Sequence, residues 1–183
     1  NAFPGAAQAF SDNVPILLLP GGEPTTRTHI RPGFSPVDNF QHVTKWLAQV
    51  NQVERIPELM RRAFYHLRTG KFGPVLLEIP RNILEEELEG DLEYTPVRGN
   101  RTAPDPAEFS EVARALLGAK SPIIHAGQGC LYAEAWDELQ EIAELLQAPV
   151  MTTLPGKSAF PEDHPLSLGA ATRASSKGVW HFF

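Results

Sequence analysis

Apolar positions along the chain change period several times, and these changes divide it into alternating helices and strands. Residues Ala2 to Phe10 place small and apolar side chains at helical spacing until Asp12-Asn13 ends the run. Val14-Pro15-Ile16-Leu17-Leu18-Leu19 follows, a short apolar stretch suited to a buried parallel strand that Gly21-Gly22 closes. From Glu23 to Pro36, Pro, Gly, Thr and Arg predict a long loop, of the kind that is often functional in α/β domains. A strand is predicted near Trp46 to Val50. Ile56, Leu59, Met60, Ala63, Phe64 and Leu67 then share one helical face, with Pro57 in the first turn and Gly70 as the stop. This spacing leaves His66 on the exposed side. Gly73 to Pro80 reads as a strand bracketed by prolines.

The stretch Thr95 to Pro106 breaks the pattern with three prolines, Gly99 and Asn100, and reads as an interdomain linker. Beyond it the alternation restarts. A helix is predicted over Ala107 to Leu117, and a strand over Pro122 to Ala126. A second helix covers Ala133 to Leu146 with Trp136, Leu139, Ile142, Ala143 and Leu146 inward, and another strand covers Pro149 to Thr153. Repeated helix and strand predict an α/β protein of two partial, three-layer domains with parallel sheets, one over residues 1–95 and one over 107–183, joined by 96–106.

Composition narrows the function classes. With 42% apolar residues the 183-residue chain can bury a core, and with a net charge of −6 and no Lys/Arg cluster it has no face for nucleic acid. Glu85, Glu86, Glu87, Glu89, Asp91 and Glu93 crowd into one stretch, read as a solvated element end rather than an acidic recognition tail. The longest uninterrupted apolar run, Ile16 to Leu19, is far below the ~20 residues that span a bilayer. The single cysteine, Cys130, has no partner for a disulfide, so a cytoplasmic protein is expected. The chain opens at Asn1 without Met and stops on Val179-Trp180-His181-Phe182-Phe183, which reads as a piece cut from something longer.

Few motifs carry chemistry on their own. Ala126-Gly127-Gln128-Gly129 lies between a strand and a helix, where paired glycines let backbone N–H groups face a phosphate. The dinucleotide fingerprint is incomplete, because Tyr132 occupies the third glycine position and Thr152-Thr153 replaces the ribose-binding acid. An ordinary tight turn and a nucleotide-type phosphate contact therefore both stand. Cys130 follows as a small buried hydrophobe or a helix-terminal thiol of lowered pKa. None of the six histidines pairs at metal-ligand spacing, no Gly-x-Ser-x-Gly elbow occurs, and His125 ends a strand at a core or cleft position.

Longer stretches resemble one family. Asn1 to Ile16 is similar to the segment that follows Gly-Pro-Gly-x-x in thiamine-diphosphate enzymes of the acetolactate synthase, benzoylformate decarboxylase and oxalyl-CoA decarboxylase group. Phe34-Ser35-Pro36-Val37-Asp38 with Thr44-Lys45 resembles Phe-Gln-Glu-x-Asp…Thr-Lys. Gly73 to Asn82 resembles the Gly-Pro-Val-x-Leu-Asp-Ile-Pro-Lys-Asp strand that closes the pyrimidine-binding domain, and Ala148 to Leu166 resembles the central domain's second strand and loop.

The resemblance implies a pyrimidine-binding domain followed by a Rossmann-like central domain, and a homo-oligomer, dimer or tetramer, acting on a 2-oxo acid. Thiamine diphosphate and Mg²⁺ are the implied cofactors. Asn1 and Ser35 would sit near thiamine, Phe34 near the reacting face, and Arg81 would hold a substrate carboxylate or lie on the surface as a solvated arginine. Ser35 departs from the family's Gln. Ala170-Ala171-Thr172-Arg173-Ala174-Ser175-Ser176 replaces a flavin-contacting stretch, so FAD is not expected, and ADP or a CoA-type ligand better suits Gly127 and Gly129. The Glu that meets the aminopyrimidine would precede Asn1 and the Mg²⁺ motif would follow Phe183. No catalytic residue or metal ligand is therefore expected in this chain, which alone would be inactive. The competing reading is a noncatalytic nucleotide-binding or assembly module.

Overall fold

The computed structural model describes residues 1–100 and 102–171. The chain forms two compact units, 1–102 and 103–183.

In the first unit every strand pairs with one central strand. Strand β1 (Leu17–Leu18), strand β2 (Gly21–Gly22) and strand β3 (Trp46–Gln49) all run parallel to β4 (Val75–Pro80), with β1 and β2 along one edge of β4 and β3 along the other. Gly21-Gly22 does not close the first strand as the sequence reading expects. It resumes the pairing, opposite Ile79 and Pro80. Leu17 to Gly22 is one extended run whose ladder is interrupted where Pro20 has no N–H to donate, although the Pro20 carbonyl still accepts from Ile79 N at 3.0 Å.

The parity of β4 builds three layers. Successive side chains of a strand point to opposite faces. Val75 and Leu77 meet helix α3 (Ile56–Arg68) through Ala63, Leu67 and Leu59, whereas Leu76 packs on Ala6 of helix α1 (Ala2–Ser11) and Phe40 of helix α2 (Pro36–Phe40). All three β4 residues are fully buried, contributing about 1.5–3 kcal/mol each. His66 departs from its expected exposed position: it is half-buried, with its ring stacked on Trp46 at 5.3 Å. Residues 89–104 carry no regular structure among those described.

The second unit opens with helix α5 (Pro106–Gly118), capped by Asp105, whose carboxylate accepts from Ala107 N at 2.9 Å. None of its residues is buried. A parallel sheet follows in the order β5 (Ile124–Ala126), β6 (Val150–Thr152), β7 (Ser167–Ala170). The helix expected over 133–146 starts three residues later: a short helix the pattern does not predict, α6 (Gln128–Tyr132), comes first, the chain turns through Glu134 at φ 53°, and α7 runs from Trp136 to Leu146. Trp136, at the first turn, is therefore exposed rather than inward, while Leu139 and Ala143 are buried against Ala126, Val150 and Phe160. Cys130 packs half-buried at the edge of this core, and His125 is exposed.

Strand β7 has no counterpart in the sequence pattern. Ser, Leu, Gly and Ala have little intrinsic strand preference, and pairing with β6 holds them extended. Thr172 to Ser176 of the stretch compared with flavin enzymes, and Trp180, Phe182 and Phe183, lie outside the described residues. Among the described residues, no helix is long and apolar enough to cross a membrane.

Candidate functional site

The first unit carries a cleft of about 410 Å³ where β2, β3 and β4 end. Crevices beyond the carboxyl ends of parallel strands are where α/β sheets place ligands. Its walls include Arg27, Arg31, Phe34, Ser35, Asp38, Gln49 and Glu78. The loop on its rim is anchored by Asn82 of helix α4 (Arg81–Leu84). Thr25 N donates to Asn82 Oδ1 at 2.9 Å, and Asn82 Nδ2 donates to Thr25 Oγ1 at 3.1 Å. His29 lies 3.4 Å from Asp38 across the same rim, both largely exposed.

Ser35 is the N-cap of α2. Its hydroxyl oxygen accepts from Asp38 N at 3.3 Å, its carbonyl accepts from Asn39 Nδ2 at 2.7 Å, and Pro36 takes the first helical position. The cap leaves the Ser35 O–H as a donor. Phe34, immediately before it, is 61% exposed and forms an apolar wall.

The cleft floor is a residue not singled out from sequence. Glu78 stands in an otherwise apolar strand and is 2% exposed. Its Oε1 accepts from Gln49 Nε2 at 3.0 Å and its Oε2 from Val37 N at 3.3 Å. The signal was a carboxylate at a buried position inside Val75-Leu76-Leu77-Glu78-Ile79, since acids are almost never fully buried without partners.

Of the residues expected to form a site, Phe34 and Ser35 line this cleft; Asn1 and Arg81 do not. Asn1 caps α1 with no side-chain bond to it. Arg81 is exposed at the start of α4 and pairs with Glu85 at 3.0 Å. Gly127 and Gly129 belong to the second unit, at the turn from β5 into α6. A Cβ built on either meets nothing within 4 Å and neither has positive φ, so the fold does not itself demand glycine there. Gly156 differs: a Cβ there would lie 2.8 Å from Ala126 O and 2.8 Å from Gly127 C, so its bare backbone props the strand-to-helix turn.

Thr44 and Lys45 terminate helices. Buried Thr44 Oγ1 donates to Phe40 O at 2.9 Å, and Lys45 Nζ donates to the carbonyls of His66 and Thr69 at the end of α3. Burial holds the Lys45 ammonium below the usual lysine range. Burial, and then the charge of Lys45, depresses His66. These groups line a second cavity, of about 500 Å³, at the amino ends of the strands.

Comparison with known proteins identifies this architecture. Residues 109–182 match the model of the thiamine pyrophosphate enzyme central domain. Residues 109–182 thus belong to that domain family, and the chain as a whole is similar to thiamine-diphosphate-dependent enzymes. It is 34% identical to a probable acetolactate synthase large subunit of Methanocaldococcus jannaschii over 98% of its length, and 33% identical to glyoxylate carboligase of Escherichia coli O157:H7 over 88%. It spans 32% and 28% of those relatives, about a third of their length. Among solved structures, benzoylformate decarboxylase from Polynucleobacter necessarius superposes with a TM-score of 0.80 at 26% identity, covering 94% of this chain and 33% of that one. A thiamin-diphosphate-dependent enzyme from Mycobacterium smegmatis, described as putative, gives 0.79 at 29% identity, covering 94% and 34%.

Proposed function

We propose that the chain contributes the pyrimidine-binding side of the cofactor site, together with part of the central domain, to an enzyme that decarboxylates a 2-oxo acid. The product is either an aldehyde or a two-carbon unit joined to a second carbonyl, as in acetolactate synthases. The observation that supports this reading most is the cleft at the strand ends, where Phe34, Ser35, Gln49 and Glu78 meet. Its volume lies in the range of small-ligand sites, and the exposed Phe34 ring offers a face for a flat heterocycle. When bound, thiamine diphosphate supplies the nucleophilic carbon and the electron sink. No group of three or more His, Cys, Asp or Glu among the described residues converges to hold a cation, so in this reading the Mg²⁺ and diphosphate end belongs to other parts of a homo-oligomer.

The chain's own residues then position and exclude. Phe34 keeps water from one wall of the cleft. Ser35, its oxygen committed to Asp38 N, is left to donate its proton toward an acceptor in the cleft. The test uses the full-length protein with thiamine diphosphate, Mg²⁺ and a panel of 2-oxo acids, following CO₂ release. Turnover is expected, with Ser35→Ala lowering kcat on the order of tenfold. A full-length protein inactive on every 2-oxo acid would overturn the reading.

A second reading concerns the other unit. Gly127 and Gly129 leave open space that the fold does not require, which suits the phosphates of an ADP- or CoA-class ligand at that turn. The preference over FAD rests on the departure of residues 170–176 from the flavin-contacting stretch.

A further inference from the structure

We propose that Glu78 is a positioning residue that fixes the Phe34–Ser35 segment over the strand ends, and that Gly22 is its obligate partner. The inference rests on the reading that this cleft takes the cofactor and substrate. The strand motif that Gly73–Asn82 resembles has Asp where this chain has Glu78. The longer side chain needs room, and the neighbouring strand supplies it: a Cβ on Gly22 would lie 2.0 Å from Glu78 Oε1 and 2.9 Å from its Cδ. Any side chain at position 22 would therefore displace the carboxylate. The group that must give way is the end of the Glu78 side chain, which can move only by leaving its bonds to Gln49 and Val37.

The carboxylate joins three elements. Gln49 holds it from the end of β3, Gly22 gives it space on β2, and Val37 N, in the first turn of α2, donates to its other oxygen. Val37 lies two residues from Ser35, and Ser35 caps the same helix. A shift of Glu78 is thus passed through the start of α2 to the hydroxyl and ring that face the cleft. Among the described residues Glu78 has no ion pair; both of its bonds come from neutral donors, as suits a fixed geometric anchor. Glutamine can replace it in shape: one amide oxygen accepts from Val37 N, and a flip of the Gln49 amide supplies the complementary acceptor.

The experiment compares Glu78→Asp, Glu78→Ala, Glu78→Gln and Gly22→Ala in the full-length protein. It measures kcat, KM and the pH profile together with amide exchange of peptides covering 34–40. Glu78→Asp, Glu78→Ala and Gly22→Ala should lower kcat about tenfold or more, with KM for thiamine diphosphate changed less than about threefold, and should speed exchange at Val37. Glu78→Gln should recover most of that loss on an unchanged pH profile. Loss of a limb of the pH profile in Glu78→Gln would make Glu78 an acid or base and overturn the proposal. So would unaltered kcat and Val37 exchange in Glu78→Ala. Should the wild-type protein show no turnover, the activity reading fails separately, and Val37 exchange alone decides whether Glu78 anchors the segment.

Discussion

Two glycines of the second unit illustrate what a single residue decides. At Gly156 the neighbouring backbone occupies the space of a methyl group, whereas at Gly127 the space is empty. Gly156→Ala should therefore destabilise the protein by about 1–3 kcal/mol through overpacking. Gly127→Ala should leave stability within about 0.5 kcal/mol, yet weaken ADP binding if a phosphate sits there. Urea unfolding and equilibrium dialysis with ADP and FAD check the pair. Tight, dialysis-resistant FAD would contradict the ligand preference, and an unfolding midpoint unchanged in Gly156→Ala would contradict the packing. From sequence alone both glycines stand near a turn; only the backbone atoms beside them separate a packing glycine from an open one. Glu78 was hidden for a related reason. A resemblance pairs it with Asp, but the matching absence of a side chain at Gly22 lies more than fifty residues away in sequence.

At the level of elements, the sequence pattern located α1 and α3 by apolar side chains at helical spacing on one face, and β4 by a short continuous apolar run buried on both faces. It failed where pairing outweighs preference, at β2 and β7, and where a turn at Glu134 delays the start of the predicted helix to Trp136. Helix α3 ends in an arrangement with a pH consequence. Lys45 caps its carbonyls from a partly desolvated position, and the stacked His66 beside it is depressed by burial and by that ammonium. A histidine whose folded pKa lies below its unfolded one favours the native state fully above the unfolded value, near 6.5. That contribution falls as pH drops through the folded value. Stability should accordingly decline on acidification from pH 7.5, and His66→Gln should flatten this slope in urea unfolding measured between pH 8 and 5. Lys45→Met should cost about 1–3 kcal/mol at pH 7 by freeing two helix-end carbonyls. A slope unaffected by His66→Gln would show that the stacked ring does not report on folding.

For the whole molecule, coverage of about a third of its relatives bears directly on binding. In the proposed reading the described residues supply one wall and the floor of the cofactor cleft, and among them no three His, Cys, Asp or Glu side chains converge on a cation. The 183-residue chain alone should therefore bind thiamine diphosphate with Mg²⁺ at least about 100-fold more weakly than the full-length protein, a difference of about 2.7 kcal/mol. Paired calorimetric titrations measure this, and equal affinities would place the whole site within this chain.

The central place of β4 also governs the order in which the first unit can assemble. Strands β1, β2 and β3 each have β4 as their strand partner in the first sheet, and β4 is the last of the four to be synthesised. Until residues 75–80 leave the ribosome, the earlier strands lack the ladder that the described residues give them, and Leu17 to Leu19 and Trp46 to Val50 wait without that partner. Closing the loop from Leu17 to Val75 makes this a non-local sheet, slow to nucleate and exposed to aggregation during translation.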